Sequence, residues 1–525
     1  MQPIIVLRDN VDRTVGQEAQ RSNIAAGKAI AGAVRTTLGP RGMDKMMVSP
    51  SGNVVITNDG ATILHELSVE HPGAKMVIEV AETQDAEVGD GTTTACILMG
   101  AFLENAEAML AKRIHPTVIA NGYQLGMEKA IEVLNELAIT TDELDRETLL
   151  KVAKTSVTGK SIEAVRDKIC EIIVDAVTTV AEHKEDGTIE IDEDNVQIKT
   201  MIGDHMDDAE LVPGFVLDKT RVEESMPKLV ENAKIALLAL ALENTKTKTS
   251  SKIKISESSQ MQAFSEQERA NIREITDIIE ASGANAVFCQ KSITDAAQYF
   301  LAKKGIFAIQ DVPESDMKAL AKAVGGTIVN KPADLNEGTL GDASKIEEMP
   351  DITVTKISGC KNPKIVSILL KGTSQIFVDE LKRAVYDAAR VVQDTLEDKT
   401  CVIGGGAIDM ELFLKIREYA ATLSGRQQIA VEAFADAFES IPLTLAENSG
   451  YDPIDKIVAL KSAHANGNKY AGLNVYTGEI VDMYEEGVFE PMRVKKQAIQ
   501  SAAESASMLI RVDDMMITQS RPPQY

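Results

Sequence analysis

The 525-residue chain has no tryptophan, and its aromatic residues amount to only 4%. Ala, Val, Ile and Leu must therefore fill the cores, and a hydrophobic content of 44% supplies enough of them for a globular protein. Cysteines are few and scattered, at positions 96, 170, 289, 360 and 401, with no C-x-x-C pair. An odd, dispersed set argues against a disulfide framework or a zinc site and fits a reducing compartment. His65 and Glu66 begin an H-E pair, but Val69 stands where a zinc protease needs its second histidine. Long apolar runs are missing as well: IALLALAL (235–242) falls far short of the roughly 20 residues of a membrane span. The N-terminal MQPIIVLRDNVDR lacks the basic-then-apolar order of a signal peptide. The expected location is the cytoplasm. Basic charge is also in deficit, with 55 Lys and Arg against 80 Asp and Glu, a formal net charge of −25. Such a chain repels nucleic acid and anionic lipid, so neither is an expected partner.

The familiar nucleotide signatures are absent too. KTSVTGKS (154–161) ends like a P-loop, but Lys154 occupies the place of the first glycine. GGGAID (404–409) breaks G-x-G-x-x-G at its last position, where Asp409 stands. No protein-kinase set of Gly-rich loop, H-R-D and D-F-G occurs.

What is present is organised in blocks. The length suggests roughly two to four domains. The first block reads as helical. EAQRSNIAAGKAIAGAVRTTLG (18–39) spaces Ile24, Lys28, Ala31 and Val34 in helical register, with Gly39-Pro40 as its end. MMVSPSGNVVITNDG (46–60) reads as a β-hairpin, and helical patterns resume from Ala61 to about Leu137. In the middle, short β-rich runs (VPGFVLDK, KIALLALAL, ANAVFCQ, KGIFAIQ, GGTIVN) alternate with helical segments, which predicts an α/β domain with a partly parallel sheet. After about Asp398 long Ala-rich helical patterns return, which suggests one domain built from both termini. Within the insert, ENTKTKTSSKIKISESSQ (243–260) is polar and has little to bury. It leads into a helical face of Met261, Phe264, Ile272, Ile275 and Ile279. By pattern alone this is a mobile loop followed by an ordinary surface helix, its apolar face partly exposed.

Several loops carry phosphate chemistry. GDGTTTAC (89–96) places Asp90 between two glycines just before an apolar helix. Asp90 can be read as a helix cap. The stretch can equally be read as an anion site, where backbone N–H groups and hydroxyls meet phosphate at the positive end of a helix. Leu38-Gly39-Pro40-Arg41-Gly42, Asn58-Asp59-Gly60 and Gly404-Gly405-Gly406 add further stretches of approachable backbone. Asp59 and Asp90 each sit in a glycine turn suited to a Mg²⁺ ligand. Each loop alone is most simply a turn; their joint occurrence favours a nucleotide site.

In order, TLGPRGMDKMM, TNDGATIL, EVGDGTTTA, VIGGGA, LAENSGYDPI and NVYTGEIVDM resemble the ATP-binding core of a group II chaperonin, nearer to the archaeal thermosome than to the eukaryotic cytosolic chaperonin. The resemblance covers nearly the whole chain. It implies a multidomain α and α/β fold: an all-α equatorial domain from 1–143 and 398–525, a small α/β intermediate domain from 144–211 and 362–397, and an apical α/β domain at 212–361 with a lid protrusion at about 245–281. It implies Asp90 as Mg²⁺ ligand, Gly91, Thr92, Thr93 and Thr94 as phosphate donors, and Leu38, Gly39, Pro40 and Gly60 along the nucleotide. Gly405 and Gly406 would face sugar and base, and Glu490 the ribose. Asp387 would activate the attacking water, with Asp59 its partner carboxylate. Thr158, Gly159 and Lys160 match a loop whose lysine reaches the γ-phosphate. The implied ligands are ATP or ADP with Mg²⁺. The implied partners are non-native client proteins and identical or related subunits in two back-to-back rings of eight or nine. The implied activity is ATP hydrolysis driving lid closure, encapsulation and folding of clients.

Some positions depart from the family pattern. Pro213 stands where lysine is usual, Lys399 where glycine is common, and TKTKTSSKIKI is more basic than expected of a lid. The chain also ends in ITQSRPPQY rather than a Gly/Met-rich tail. A non-hydrolysing assembly or holdase on the same fold is the alternative, opposed by the presence of Asp59, Asp90 and Asp387. A small-molecule kinase would need an acceptor pocket for which no signal exists.

Overall fold

The computed structural model describes residues 11–48, 52, 54–140, 146–160, 165–202, 209–243, 258–349 and 353–518. The polar stretch 244–257, the side chains of Met261 and Phe264, and the C-terminal 519–525 lie outside the described residues. The chain forms two compact units, one from 1–174 with 383–525 and the other from 175–382.

The first unit is helical and is built from both ends of the chain, as the Ala-rich patterns predict. Its centre is the helix Thr92–Ala111, packed by Gln17–Arg35, Pro72–Val88, Pro116–Leu137 and Met492–Ile510. That central helix is long and apolar enough to cross a membrane by length and composition, a feature the search for apolar runs missed. Its apolarity is used inside the unit instead: Leu98, Met99, Phe102, Leu103 and Ala106 are fully buried in the core. A helix apolar on all sides is one surrounded by protein. Close approach depends on small residues. A Cβ on Gly27 would stand 2.6 Å from Leu103, and one on Gly100 would stand 2.5 Å from Ala31. Scarce aromatics are concentrated here, with Phe102 stacked on Phe434 at 4.5 Å and Tyr123 donating its hydroxyl to the Phe102 carbonyl at 2.6 Å. The strands Val11–Val15 and Asp514–Thr518 pair antiparallel and tie the two ends together.

The first helix differs from its expected span in two ways. It ends at Arg35 rather than Gly39, and Thr37 and Leu38 turn off it by hydrogen bonds to Val34 and Arg35. Lys28 is not on the core face; it reaches out to Glu107 at 2.9 Å, and Gly27 faces the core in its place. Lys399, where glycine was expected, follows the helix Gln375–Asp398 with φ of 54°. Left-handed backbone costs a residue with a β-carbon about 1–2 kcal/mol, of which glycine's extra freedom in the unfolded chain takes back about 0.4–1 kcal/mol. Lys399→Gly is therefore expected to raise stability by up to about 1 kcal/mol, read as a higher unfolding midpoint. A lower midpoint would mean that the lysine side chain contributes more than its backbone costs.

The second unit holds a mixed seven-stranded sheet. Leu229–Leu238 pairs parallel with Ala286–Cys289 and Ile328–Val329, and Ala286–Cys289 pairs parallel with Phe307–Ile309. On the other side Gly341–Met349, Val354–Cys360 and Gly214–Leu217 continue antiparallel, so the sheet is partly parallel as the alternation predicts. A separate three-stranded sheet contains Val196–Ile202, Val366–Gly372 and Glu210–Val212. The helix Ser258–Ala281 corrects one expectation. Ile272 and Ile279 are buried in a core cluster that also holds Val287, Leu301 and Ile306, and partly buried Ile275 packs against that cluster, so this part of the apolar face is core rather than exposed surface.

Candidate functional site

A cavity of about 690 Å³ opens within the first unit, in the size range of small-ligand sites. At one end the helix Pro72–Val88 stops at Gly89 (φ 67°), and the central helix starts from Gly91 (φ 79°), with no side chain capping it and no acidic residue in its first turn. Asp90 lies between these left-handed glycines. Its carboxylate does not cap the helix: it accepts from Ser156 Oγ at 2.6 Å and from Gly91 N at 2.7 Å. Asp90 is therefore not the helix cap, and the start of the central helix carries no side-chain cap.

This loop is clamped from two sides. Arg390 donates to the carbonyls of Ala86 and Glu87, both at 3.2 Å, and its stem fills the space where a Cβ on Gly89 would lie. Buried Gln84 donates to the carbonyls of Asp90 (2.9 Å) and Val494 (3.1 Å). Asp59, by contrast, is a true cap. It accepts from Thr62 N at 2.7 Å and Ala61 N at 3.4 Å, starting the helix Gly60–Glu66, and from Thr92 Oγ1 at 3.1 Å. Gly60 permits this crossing, since a Cβ there would stand 2.8 Å from Thr93 Oγ1. Gly159 (φ 87°) rests on Pro40, where a Cβ would come within 2.6 Å of Pro40 Cα, and its carbonyl accepts from Asn58 Nδ2 at 3.0 Å. Thr158 Oγ1 bonds back to the Lys154 carbonyl at 2.5 Å, with Leu38 and Gly39 beside it on the cavity wall.

Lys160 Nζ and Asp387 Oδ2 are 2.5 Å apart, with side chains only 15% and 12% exposed. Burial pushes the Asp387 carboxyl well above its usual range; Lys160 opposes this, and Asp59 and Asp90 reinforce it. Burial would lower the Lys160 ammonium, but Asp387, Asp90 and Asp59 together outweigh it and hold the lysine protonated. Asp85 belongs to the same acidic surroundings, raised first by burial and then by Asp59 and Asp90.

At the other end the strand Thr400–Ile403 runs into Gly404-Gly405-Gly406 and the helix Ala407–Ala420. Gly405 and Gly406 are left-handed (φ 66° and 81°). Glu490 lies on the antiparallel strand Phe489–Pro491, opposite Val402. A Cβ on Gly404 would stand 2.5 Å from Glu490 Oε1. Asp409, the residue that spoils the dinucleotide signature, forms a buried ion pair with Lys495 at 3.1 Å.

The residues to which the family resemblance gives a role line this one cavity, except Gly60, which underlies Thr93, and Asp387, which reaches it through Lys160; Arg41, Gly42, Gly89 and Gly404 of the candidate loops do not line it. Sequence reasoning missed Ser156, Gln84, Arg390, Asp85 and Lys495. None stands in a glycine turn, and Ser156, Arg390 and Lys495 have partners far away in the chain, so no local signal marks them.

Three relatives match along almost their full length. The thermosome subunit beta of Archaeoglobus fulgidus is 52% identical over 517 residues, covering 98% of this chain and 95% of the relative. The thermosome subunit of Methanopyrus kandleri is 51% identical over 515 residues, covering 98% and 94%. The thermosome subunit alpha of Methanothermobacter thermautotrophicus is 50% identical over 517 residues, with coverage of 98% and 94%. The model of the TCP-1/cpn60 chaperonin family matches residues 30–520, and on that extent of agreement the chain belongs to this family.

Proposed function

We propose that this chain is a subunit of an ATP-dependent group II chaperonin, and that the cavity binds and hydrolyses ATP. The observation that carries the reading is the uncapped start of the central helix, set in one cavity with Asp90 and the Lys160–Asp387 pair. The backbone of Gly91 to Thr94 would receive phosphate oxygens. Asp90 lines the cavity and, among the described residues, accepts from one hydroxyl and one backbone N–H, so it has the donor chemistry for Mg²⁺. Mg²⁺, when bound there, would neutralise phosphate charge. Asp387, held above the usual carboxylate range, suits acceptance of a proton from the attacking water. Asp59 would sit across from it, fixed by its capping bonds, with Leu38, Gly39, Pro40 and Gly60 shaping the wall. Gly405, Gly406 and Glu490 would face sugar and base.

The relatives are named as subunits, which supports an assembly of identical or related chains; two back-to-back rings in the cytoplasm are part of the proposal. We assign non-native proteins as clients and divide the chain into equatorial (1–143, 398–525), intermediate (144–211, 362–397) and apical (212–361) parts. A passive holdase would not need a buried acid paired to a lysine beside an anion site, so hydrolysis is the better reading.

Steady-state ATPase assays with a refolding client test the proposal: hydrolysis and client recovery should both require Mg²⁺ and ATP. A protein that binds no Mg–ATP would overturn it. The Lys160→Ala variant bears on the same point. Thr158, Gly159 and Lys160 form a loop that can contact the γ-phosphate in one conformational state only, so the lysine acts on that state. Nucleotide affinity should change less than about threefold while ATP-driven closure, read by protease resistance, is lost; about 1.4 kcal/mol would be a tenfold change. Normal closure with weak binding would refute the sensor role.

A further inference from the structure

Two of the helix N-termini at the cavity follow glycine turns, and they differ. Neither the start of Thr92–Ala111 nor that of Ala407–Ala420 is capped by a side chain. The second, however, carries Asp409 in its first turn, and the first carries no acid there. Around Asp409 sits a small charge cluster. Lys495 Nζ lies 3.1 and 3.3 Å from the two Asp409 carboxylate oxygens and 3.7 Å from Glu490 Oε2. The Lys495 and Asp409 side chains are 4% and 1% exposed, while Glu490 is 30% exposed.

Asp409 in the first turn, with Glu490 close by across Lys495, already occupies the positive end of this helix and disfavours phosphate there. The phosphates therefore belong at the Thr92 end, and a neutral polar part of the ligand belongs at the Glu490 end. An ionised carboxylate only accepts hydrogen bonds, so what it takes must donate. A vicinal diol supplies two O–H donors to one carboxylate. Both acceptor oxygens are available only while the acid is ionised and held still. Burial pushes the Glu490 carboxyl up, and Lys495 opposes that shift. Glu490 Oε1 lies so close to Gly404 that any side chain there would displace it.

We propose that Lys495, anchored by Asp409, is the positioning residue that keeps Glu490 presented to the sugar hydroxyls and so sets preference for ribonucleotides over nucleotides lacking the 2′ and 3′ hydroxyls. This rests on the nucleotide reading of the cavity and deepens it.

The test uses the full-length chain and titration calorimetry with Mg–ADP and Mg–2′,3′-dideoxy-ADP. The wild-type protein should prefer ADP by roughly tenfold or more, the scale of a hydrogen bond to a charged group. Removing Lys495 alone would strand Asp409 in the interior, so the variant is Lys495→Met/Asp409→Leu, with Lys495→Gln/Asp409→Asn as a second, shape-preserving pair. Either should bind dideoxy-ADP within about threefold of wild type and lose most of the preference for ADP, since three-fold is far below the tenfold effect of a lost charged contact. Glu490→Gln leaves Lys495 and Asp409 balanced and should abolish the same preference, with no further loss when the changes are combined. Retention of the full preference in either double variant, or equal weakening of both nucleotides, would overturn the proposal while leaving the nucleotide site intact. A wild-type protein that binds both nucleotides equally would overturn it in the same way. Failure of the wild type to bind either would instead remove the nucleotide reading itself.

Discussion

Replacing Asp387 by alanine is expected to slow ATP hydrolysis by roughly 10²–10⁴-fold while Mg–ATP affinity stays within a few-fold of wild type. The range is that of a positioned general base. Asp387 contributes nothing to the loops around Asp90 or Gly39; its described contact is the 2.5 Å bond from Lys160. Its removal therefore spares the phosphate cradle and leaves Lys160 free of its nearest carboxylate. The cavity becomes less negative, which cannot weaken attraction for a nucleotide anion. Chemistry should be lost because Asp387 is the group proposed to orient and deprotonate the water. Asp59 is no substitute, its carboxylate being engaged by Thr62 N, Ala61 N and the Thr92 hydroxyl. Single-turnover hydrolysis measured beside calorimetric affinity separates the two effects. A parallel fall in both would show that Asp387 binds nucleotide rather than acting on water.

Asp90→Ala should have the opposite signature: loss of Mg²⁺-dependent binding, with affinity falling by roughly 100-fold or more, some 2.7 kcal/mol or above. The reason lies in where the carboxylate points. Having left the helix start uncapped, Asp90 faces the cavity with Ser156 and Gly91 as its donors. A nucleotide brings several negative charges toward a region that already holds Asp59, Asp85 and Asp387. Without a metal ligand those charges lose the divalent cation that would lie between them and the carboxylates. Chelating Mg²⁺ from the wild-type protein should reproduce the defect, and chelation should cost the variant nothing further. An Asp90→Ala variant that still loses affinity on chelation would place the metal on another residue.

The parts of the site that could be read early are those whose chemistry is local. Gly39, Gly89, Gly91, Gly405 and Gly406 each take a left-handed φ that glycine adopts without strain, and each announces a turn from its immediate neighbours. Asp59 is likewise legible as the cap of the helix it precedes. The alternating runs of the middle segment are visible because side chains in a strand repeat every two residues. Local patterns also stop short of packing. Lys28 is in helical register with Ile24 and Val34, yet a register of four cannot say which neighbour meets Leu103, and the answer is Gly27. Ile272 and Ile279 share an apolar stripe that looks the same whether it meets solvent or a sheet; here it packs against core residues of the insert.

Sequence alone determined the two-ended construction, the acidic balance that disfavours nucleic acid and the glycine turns. Those follow from composition and from interactions spanning at most a turn of helix. Only the tertiary structure decided that Asp90 is released from capping, because its partner Ser156 is 66 residues away. It alone joined Lys160 to Asp387 across 227 positions and Lys495 to Asp409 across 86. No residue in such a pair carries a mark of its partner in the surrounding sequence. The pairing is chosen by which helices pack together, and the low-polarity interior then makes each buried charge depend on the one opposite it.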